Sequence, residues 1–346
     1  MTLRTSRSVL SCSCLIAALA LLSVEARAQE RPTGRRGLFG DWLVKMDFGG
    51  RQVESILSFS RDADGNRTGE WISFMGVSEL KDLKVEEGKI SFTQVRQNRE
   101  GQTVTSKFAG TIADGKLSGT LTSDQGELKV EGAPLPRVPR AAGNWAVKFK
   151  MGEREITTTW AIKAGEGNTL ALDWPSERVQ HSVSGVTSER GKLTFKTKSK
   201  MQEREWESTF EGTIEGDKLS GTLKSERGEG AVEGTRVGGD LIGTWNLDLT
   251  SDRGTRKQRL RVNPDMSGWY GAVLVKKIEL QDGKVTFKIS MEFGDQKFEI
   301  DFAGSVKEGA LSGELTSPRG TQKVTGKKVV RMGRPGGPGA TPGTKV

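Results

Sequence analysis

The sequence predicts an all-β protein: three tandem antiparallel meander barrels of about eight short strands each. Three observations lead there. One motif series occurs three times along the chain, apolar residues alternate with period two, and turn-forming residues cut each copy at the same places.

The motif series opens with Gly-x-Trp, at Gly40-Asp41-Trp42, Gly143-Asn144-Trp145 and Gly243-Thr244-Trp245. It continues to Gly-Lys-aliphatic-hydroxyl-Phe, ending at Phe92, Phe195 and Phe287. Each copy closes with Phe-x-Gly (Phe108-Ala109-Gly110, Phe210-Glu211-Gly212, Phe302-Ala303-Gly304), then Leu-Ser-Gly-x-Leu from Leu117, Leu219 and Leu311, then a last Gly at Gly132, Gly234 and Gly326. The third copy is about ten residues shorter between its Trp and its Gly-Lys turn.

The alternation is that of strands with one buried and one wet face. Trp42, Val44, Met46 and Phe48 alternate with Leu43, Lys45 and Asp47. Turn residues at Asp64-Gly65-Asn66, Gly165-Glu166-Gly167-Asn168 and Asn263-Pro264-Asp265 mark the first hairpin of each copy. A twisted meander of this length hides its edges by closing on itself. Gly110 and Gly119, on the inward parity, are where the backbone of a small barrel can bend.

The ends read differently. Arg4 and Arg7, the apolar stretch Leu15–Val24 and the small residues Ala26-Arg27-Ala28 predict a signal peptide over 1–28, too short to span a bilayer. The segmentation that follows is a linker at 29–37, repeat 1 over 38–133, a Pro-rich linker at 134–141 and repeat 2 over 142–236. A short linker at 237–241 leads to repeat 3 over 242–330, and a Pro/Gly-rich disordered tail spans 331–346. Export to the periplasm or outside the cell follows, with no membrane span after cleavage. Both cysteines, Cys12 and Cys14, fall in the signal peptide, so core packing alone must hold the repeats.

Charge excludes some function classes. The chain holds 53 Lys+Arg against 44 Asp+Glu, net +9. The signs are interleaved, as on a solvated β surface, and not gathered into a basic face with aromatics, so nucleic-acid binding is not expected. Lys257, Arg259 and Arg261 share one strand face, as do Glu203, Glu205 and Glu207; both stripes are read as solvated faces, the alternatives being that they face each other between domains or bind charged envelope polymers.

Gly243-Thr244-Trp245, the meander and a last strand ending in a basic residue resemble the first and last strands of the calycin superfamily, lipocalins and avidins. In that family the Trp closes one barrel end beneath a basic side chain. The resemblance therefore implies Arg236 over Trp145 and Lys328 over Trp245. The first copy departs from the pattern, with Pro134 at the equivalent position, so Trp42 must be covered by other means. The resemblance also implies a barrel mouth that binds a small ligand, and no enzyme. It carries over no ligand-contact residue.

Catalytic chemistry finds little support. His181 is the only histidine, so any Ser-His-Asp triad would have to use it. Transition-metal sites need clustered His and Cys, and no cofactor is expected. Asp62-Ala63-Asp64-Gly65-Asn66 opens like a calcium loop but lacks the later acidic ligand, and a plain hairpin turn is expected. Trp71, Trp174 and Trp269, just after the first hairpin of each copy, are the candidate ligand contacts; the other reading is that they fill the core. The expectation is a non-catalytic binding or scaffolding protein. Its ligand would be a small apolar molecule in the barrels or an anionic envelope glycan on the surface. A polysaccharide hydrolase with paired carboxylates and a purely structural envelope protein are the alternatives.

Overall fold

In the computed structural model, 25 strands run in sequence order among the described residues. The structure describes residues 38–329 apart from 98–101, 152–153, 166, 168, 227, 253 and 294–295. The predicted signal peptide and the tail lie outside the described residues.

Barrel 1 is a closed, eight-stranded meander: β1 Gly40–Phe48, β2 Arg51–Arg61, β3 Arg67–Ser73, β4 Gly76–Glu86, β5 Lys89–Gln97, β6 Thr103–Ala113, β7 Lys116–Ser123 and β8 Gly126–Pro134. The last strand returns to the first, with Trp42 opposite Pro134 and Val44 opposite Gly132. Each strand hydrogen-bonds its sequence neighbour, so hairpin turns set the register.

Barrel 2 is again eight-stranded: β9 Gly143–Met151, β10 Arg154–Ala164, β11 Leu170–Asp173, β12 Gln180–Glu189, β13 Lys192–Met201, β14 Arg204–Glu215, β15 Lys218–Ser225 and β16 Gly228–Arg236. Its ladder ends at β11 on one side and β12 on the other. β11 has only four residues, and Pro175 follows Trp174 closely, where it can offer no N–H to extend the strand. The result is a seam where the curled sheet meets itself without a continuous ladder.

Barrel 3 has nine strands: β17 Gly243–Ser251, β18 Gly254–Val262, β19 Gly268–Tyr270, β20 Val273–Val275, β21 Ile278–Gln281, β22 Lys284–Phe293, β23 Gln296–Lys307, β24 Ala310–Ser317 and β25 Gly320–Lys328. The shortened segment of this copy is laid out as three strands of three or four residues, and they leave a seam between β20 and β21.

The repeated motifs build one core device three times. Phe92 and Phe108 face each other across β5 and β6 with stacked rings 4.7 Å apart. Phe195–Phe210 at 5.0 Å and Phe287–Phe302 at 4.6 Å repeat the pair. The second Phe of each pair lies flat over two glycines that face each other on adjacent strands. A Cβ on Gly119 would be 2.5 Å from Phe108 Cζ and 2.5 Å from the Ala109 carbonyl. Phe-x-Gly and Leu-Ser-Gly are thus two halves of one contact: the glycines are missing side chains that make room for the ring. β4 and β12 each carry a bulge at the same place, at Asp82 (φ 53°) and Gly185 (φ 62°), where the sheet turns the corner of the barrel.

All described residues belong to one compact unit, and barrels 1 and 3 dock directly. Ile56 and Ile72 point outward from barrel 1 and join Leu135, Trp269 and Ala272 in a separate apolar cluster. Arg259 donates to both carboxylate oxygens of Glu70 at 2.8 Å, and Arg261 donates to Asp41 at 2.8 Å. Two residues of the basic stripe read as solvated are therefore interface residues, while Lys257 is exposed. The reason is a partner far along the chain, invisible to strand parity alone. On the acidic stripe, Glu205 pairs with Lys198 and Lys200 of the neighbouring strand.

Candidate functional site

The opening tryptophans occupy one end of each barrel. Trp42, Trp145 and Trp245 are buried, and each indole N–H donates to the carbonyl four residues earlier: Leu38, Ala141 and Leu241 at 2.8–2.9 Å. The Arg236 guanidinium lies 4.0 Å from the Trp145 ring centre, and Lys328 Nζ lies 5.7 Å from that of Trp245. Arg236 also donates to the Arg140 and Ala142 carbonyls and to Asp217 at 3.0 Å. In copy 1, Pro134 takes the basic position and Arg137 follows three residues later. Its guanidinium stands beside Gly40 as Arg236 stands beside Gly143 and Lys328 beside Gly243.

The three later tryptophans are not equivalent. Trp71 pairs with Leu57, the residue opposite Trp42, and packs inside barrel 1 edge-on to Phe92 at 6.2 Å. In barrel 3 the residue opposite Trp245 is Leu260, and its partner is Tyr270, not Trp269. One residue along a strand reverses the face. Tyr270 therefore occupies the core, and Trp269 lies in the joint with barrel 1. Trp174 holds the inward place in barrel 2, against Trp160 (5.2 Å) and Phe149 (5.6 Å). No site gathers the three rings.

Trp174 does line an open cleft of about 660 Å3 at the barrel-2 seam. Ala161, Lys163, Ala171 and Asp173 form its outer part, and Leu172, Trp174, His181 and Val183 lead through the seam toward the interior. The His181 ring stacks on Trp174 with centres 4.1 Å apart and planes 10° off parallel. At the rim Lys163 and Asp173 form an ion pair. Inside, β13 and β14 carry the buried hydroxyls Thr197, Ser199 and Ser208, a polar layer above the Phe195–Phe210 pair. Neither this layer nor Trp160, which centres the aromatic cluster, stood out in the sequence; the signal was the alternation of Thr197 and Ser199 with Lys196, Lys198 and Lys200.

His181 makes one hydrogen bond, between Nδ1 and Ser199 Oγ at 2.8 Å. A nucleophile–base pair must be open to a substrate carbonyl, and Ser199 is only 1% exposed. Burial pushes the imidazole pKa down from its usual 6.5. With the folded value below the unfolded one, the unfolded chain takes up the proton first. Stability from this group is therefore full above about pH 6.5 and lost as pH falls through the lowered folded value. Thermal melts at pH 7.5 and pH 5 should show a larger acid loss for the wild type than for His181→Gln, which keeps a polar side chain without the titration.

Among the described residues, the carboxyl groups with displaced pKa move downward: Asp62, Glu205, Glu279 and Glu299, the last to about 2, held by hydrogen bonds from Lys297 and Lys288. Asp62 is spent on its own turn, accepting from the backbone N–H of Asp64 and Asn66 and from the Asn66 amide. Among the described residues, no three His, Asp or Glu side chains come together as a metal site, and no helix is long and apolar enough to cross a membrane.

No family model matches the chain, and no curated protein matches it. Among solved structures it is similar to a putative outer membrane protein of Bacteroides fragilis, 13% identical, covering 84% of this chain and 97% of that one at TM-score 0.22. A double-mutant form of the vaccine antigen transferrin binding protein B of Haemophilus parasuis is 10% identical, covering 85% and 76% at TM-score 0.20. A protein of unknown function from the DUF3598 family of Nostoc punctiforme is 10% identical, covering 84% and 96% at TM-score 0.20. Likenesses this distant carry neither a ligand nor a role over to this chain.

Proposed function

We propose that the chain is an exported, non-catalytic binding protein with a calycin-like repeat. Barrels 1 and 3 form its base, and barrel 2 presents the ligand site. Trp42, Trp145 and Trp245, with Arg236 and Lys328, close barrel ends in this reading. Trp174 is the ligand contact, whereas Trp71 is core and Trp269 belongs to the joint. The observation that carries it is the cleft at the barrel-2 seam, whose volume falls in the range of small-molecule sites, about 300–1,000 Å3.

Its chemistry favours a small, largely apolar molecule with a planar ring. The lining is Ala, Leu, Val and an aromatic stack, and the rim cation Lys163 already has Asp173 as its counter-ion. An anionic glycan on the outer face of barrel 2 would compete with carboxylates already paired to Lys148, Lys192, Lys198, Lys200 and Lys224.

Native mass spectrometry of the protein purified from its own cells tests this. One small adduct per chain is expected, lost in Trp174→Leu while the far-ultraviolet spectrum is retained. A wild-type protein free of any adduct, or an adduct that survives Trp174→Leu, overturns the reading.

A further inference from the structure

The β3–β4 turn of barrel 1, Ser73–Gly76, enters barrel 3. Phe74 packs against the barrel-3 core, its ring 6.4 Å from that of Tyr270, while Met75 beside it is exposed. Two side chains on the inward parity of β18 grip the turn by its backbone. Gln258 Nε2 donates to the Ser73 and Phe74 carbonyls at 3.1 and 3.0 Å, and Arg256 Nη1 donates to the Phe74 and Met75 carbonyls at 3.3 and 3.1 Å.

Space has been left for this chain on both sides. A Cβ on Gly271 would stand 2.5 Å from the Ser73 carbonyl, and one on Gly76 3.0 Å from the Lys257 carbonyl. The turn is also shaped before it docks, since Ser73 Oγ accepts from the Met75 N–H at 3.1 Å. A half-buried aromatic, three carbonyls met by fixed donors and a preformed backbone turn are the parts of a peptide-recognition pocket. Simple packing between domains would need the apolar contact only.

We propose that the mouth of barrel 3 is a binding pocket for an aromatic-tipped peptide turn, occupied in cis by Ser73–Gly76. Barrel 1 is then the resident ligand of barrel 3, and Arg256 and Gln258 select for backbone carbonyls around one inserted ring. Arg259–Glu70 and Arg261–Asp41 lie beside the pocket and raise the local concentration of the turn.

Tyr270, the only tyrosine, reports on the mouth. Its hydroxyl is pushed up to about 12 from 10.0 by burial. The full-length Phe74→Ala variant is titrated by tyrosinate absorbance while circular dichroism confirms the fold. A fall of the tyrosine pKa toward 10 is expected, and a synthetic hairpin spanning Glu70–Lys81, which holds no tyrosine, should raise it again when added in trans. The same hairpin with alanine in place of its phenylalanine should not. An unchanged titration in Phe74→Ala overturns the proposal. So does a fall that the hairpin cannot reverse, because Phe74 would then be packing and not a ligand. Should Phe74→Ala not fold, Gln258→Ala, which removes the uncharged donor to the Ser73 and Phe74 carbonyls and leaves the ring, should likewise lower the tyrosine pKa, and an unchanged value overturns the proposal.

Discussion

Arg236→Ala should remove about 3 kcal/mol from barrel 2, the scale on which breaking one side of a buried charged network acts. The side chain is 3% exposed, closes over Trp145, and satisfies two carbonyls of the 140–142 segment as well as Asp217. Alanine leaves those carbonyls without their donor and opens the indole to water. Arg236→Lys should lose roughly half as much, because the third copy places Lys328 over Trp245 in the same position. Urea unfolding followed by tryptophan fluorescence separates the two. Equal losses for alanine and lysine would show that the guanidinium fork, and not the cation over the ring, holds this end.

Gly119→Ala is expected to cost barrel 1 about 3 kcal/mol, at the upper end of ordinary overpacking. The added methyl would meet the Ala109 carbonyl, Phe108 Cζ and Gly110 Cα, all within 2.7 Å. Backbone on one side and a stacked ring on the other leave no flexible end to give way. Thr120→Ala, one position along and on the outer face, should stay within about 0.5 kcal/mol. Circular-dichroism melts of the two variants give the contrast, and a Gly119→Ala melt as high as that of Thr120→Ala would mean the Phe108 ring can be displaced cheaply.

What was legible in the sequence was whatever is encoded within one copy. Phe-x-Gly and Leu-Ser-Gly recur because the same ring lies on the same pair of glycines three times, and period two gave the inward faces of β7 and β23 and of β1 as far as Met46, Phe48 being exposed. Two kinds of information were not legible. The first is register after a deletion: Gly268-Trp269-Tyr270 places two aromatics side by side, and only pairing with Leu260 decides that Tyr270 enters the core. The second is contact between copies. Arg259 and Arg261 read as a wet stripe because their acidic partners lie 189 and 220 residues away. The cleft shows both effects, since the Trp174–His181 stack depends on how Pro175 ends β11 and how the following loop returns.

The joint between barrels 1 and 3 also orders events in time. Within a barrel the hairpins close over a few residues and the closing ladder joins residues about 90 apart, such as Trp42 and Pro134, whereas the joint links positions up to 220 apart with all of barrel 2 between them. Closing short loops is entropically cheap and precedes closing long ones. A nascent chain therefore finishes its first two barrels while Ile56, Ile72 and Leu135 still wait uncovered for Trp269. Until the third barrel docks, this apolar face is the kind of transiently exposed surface through which unfinished chains associate.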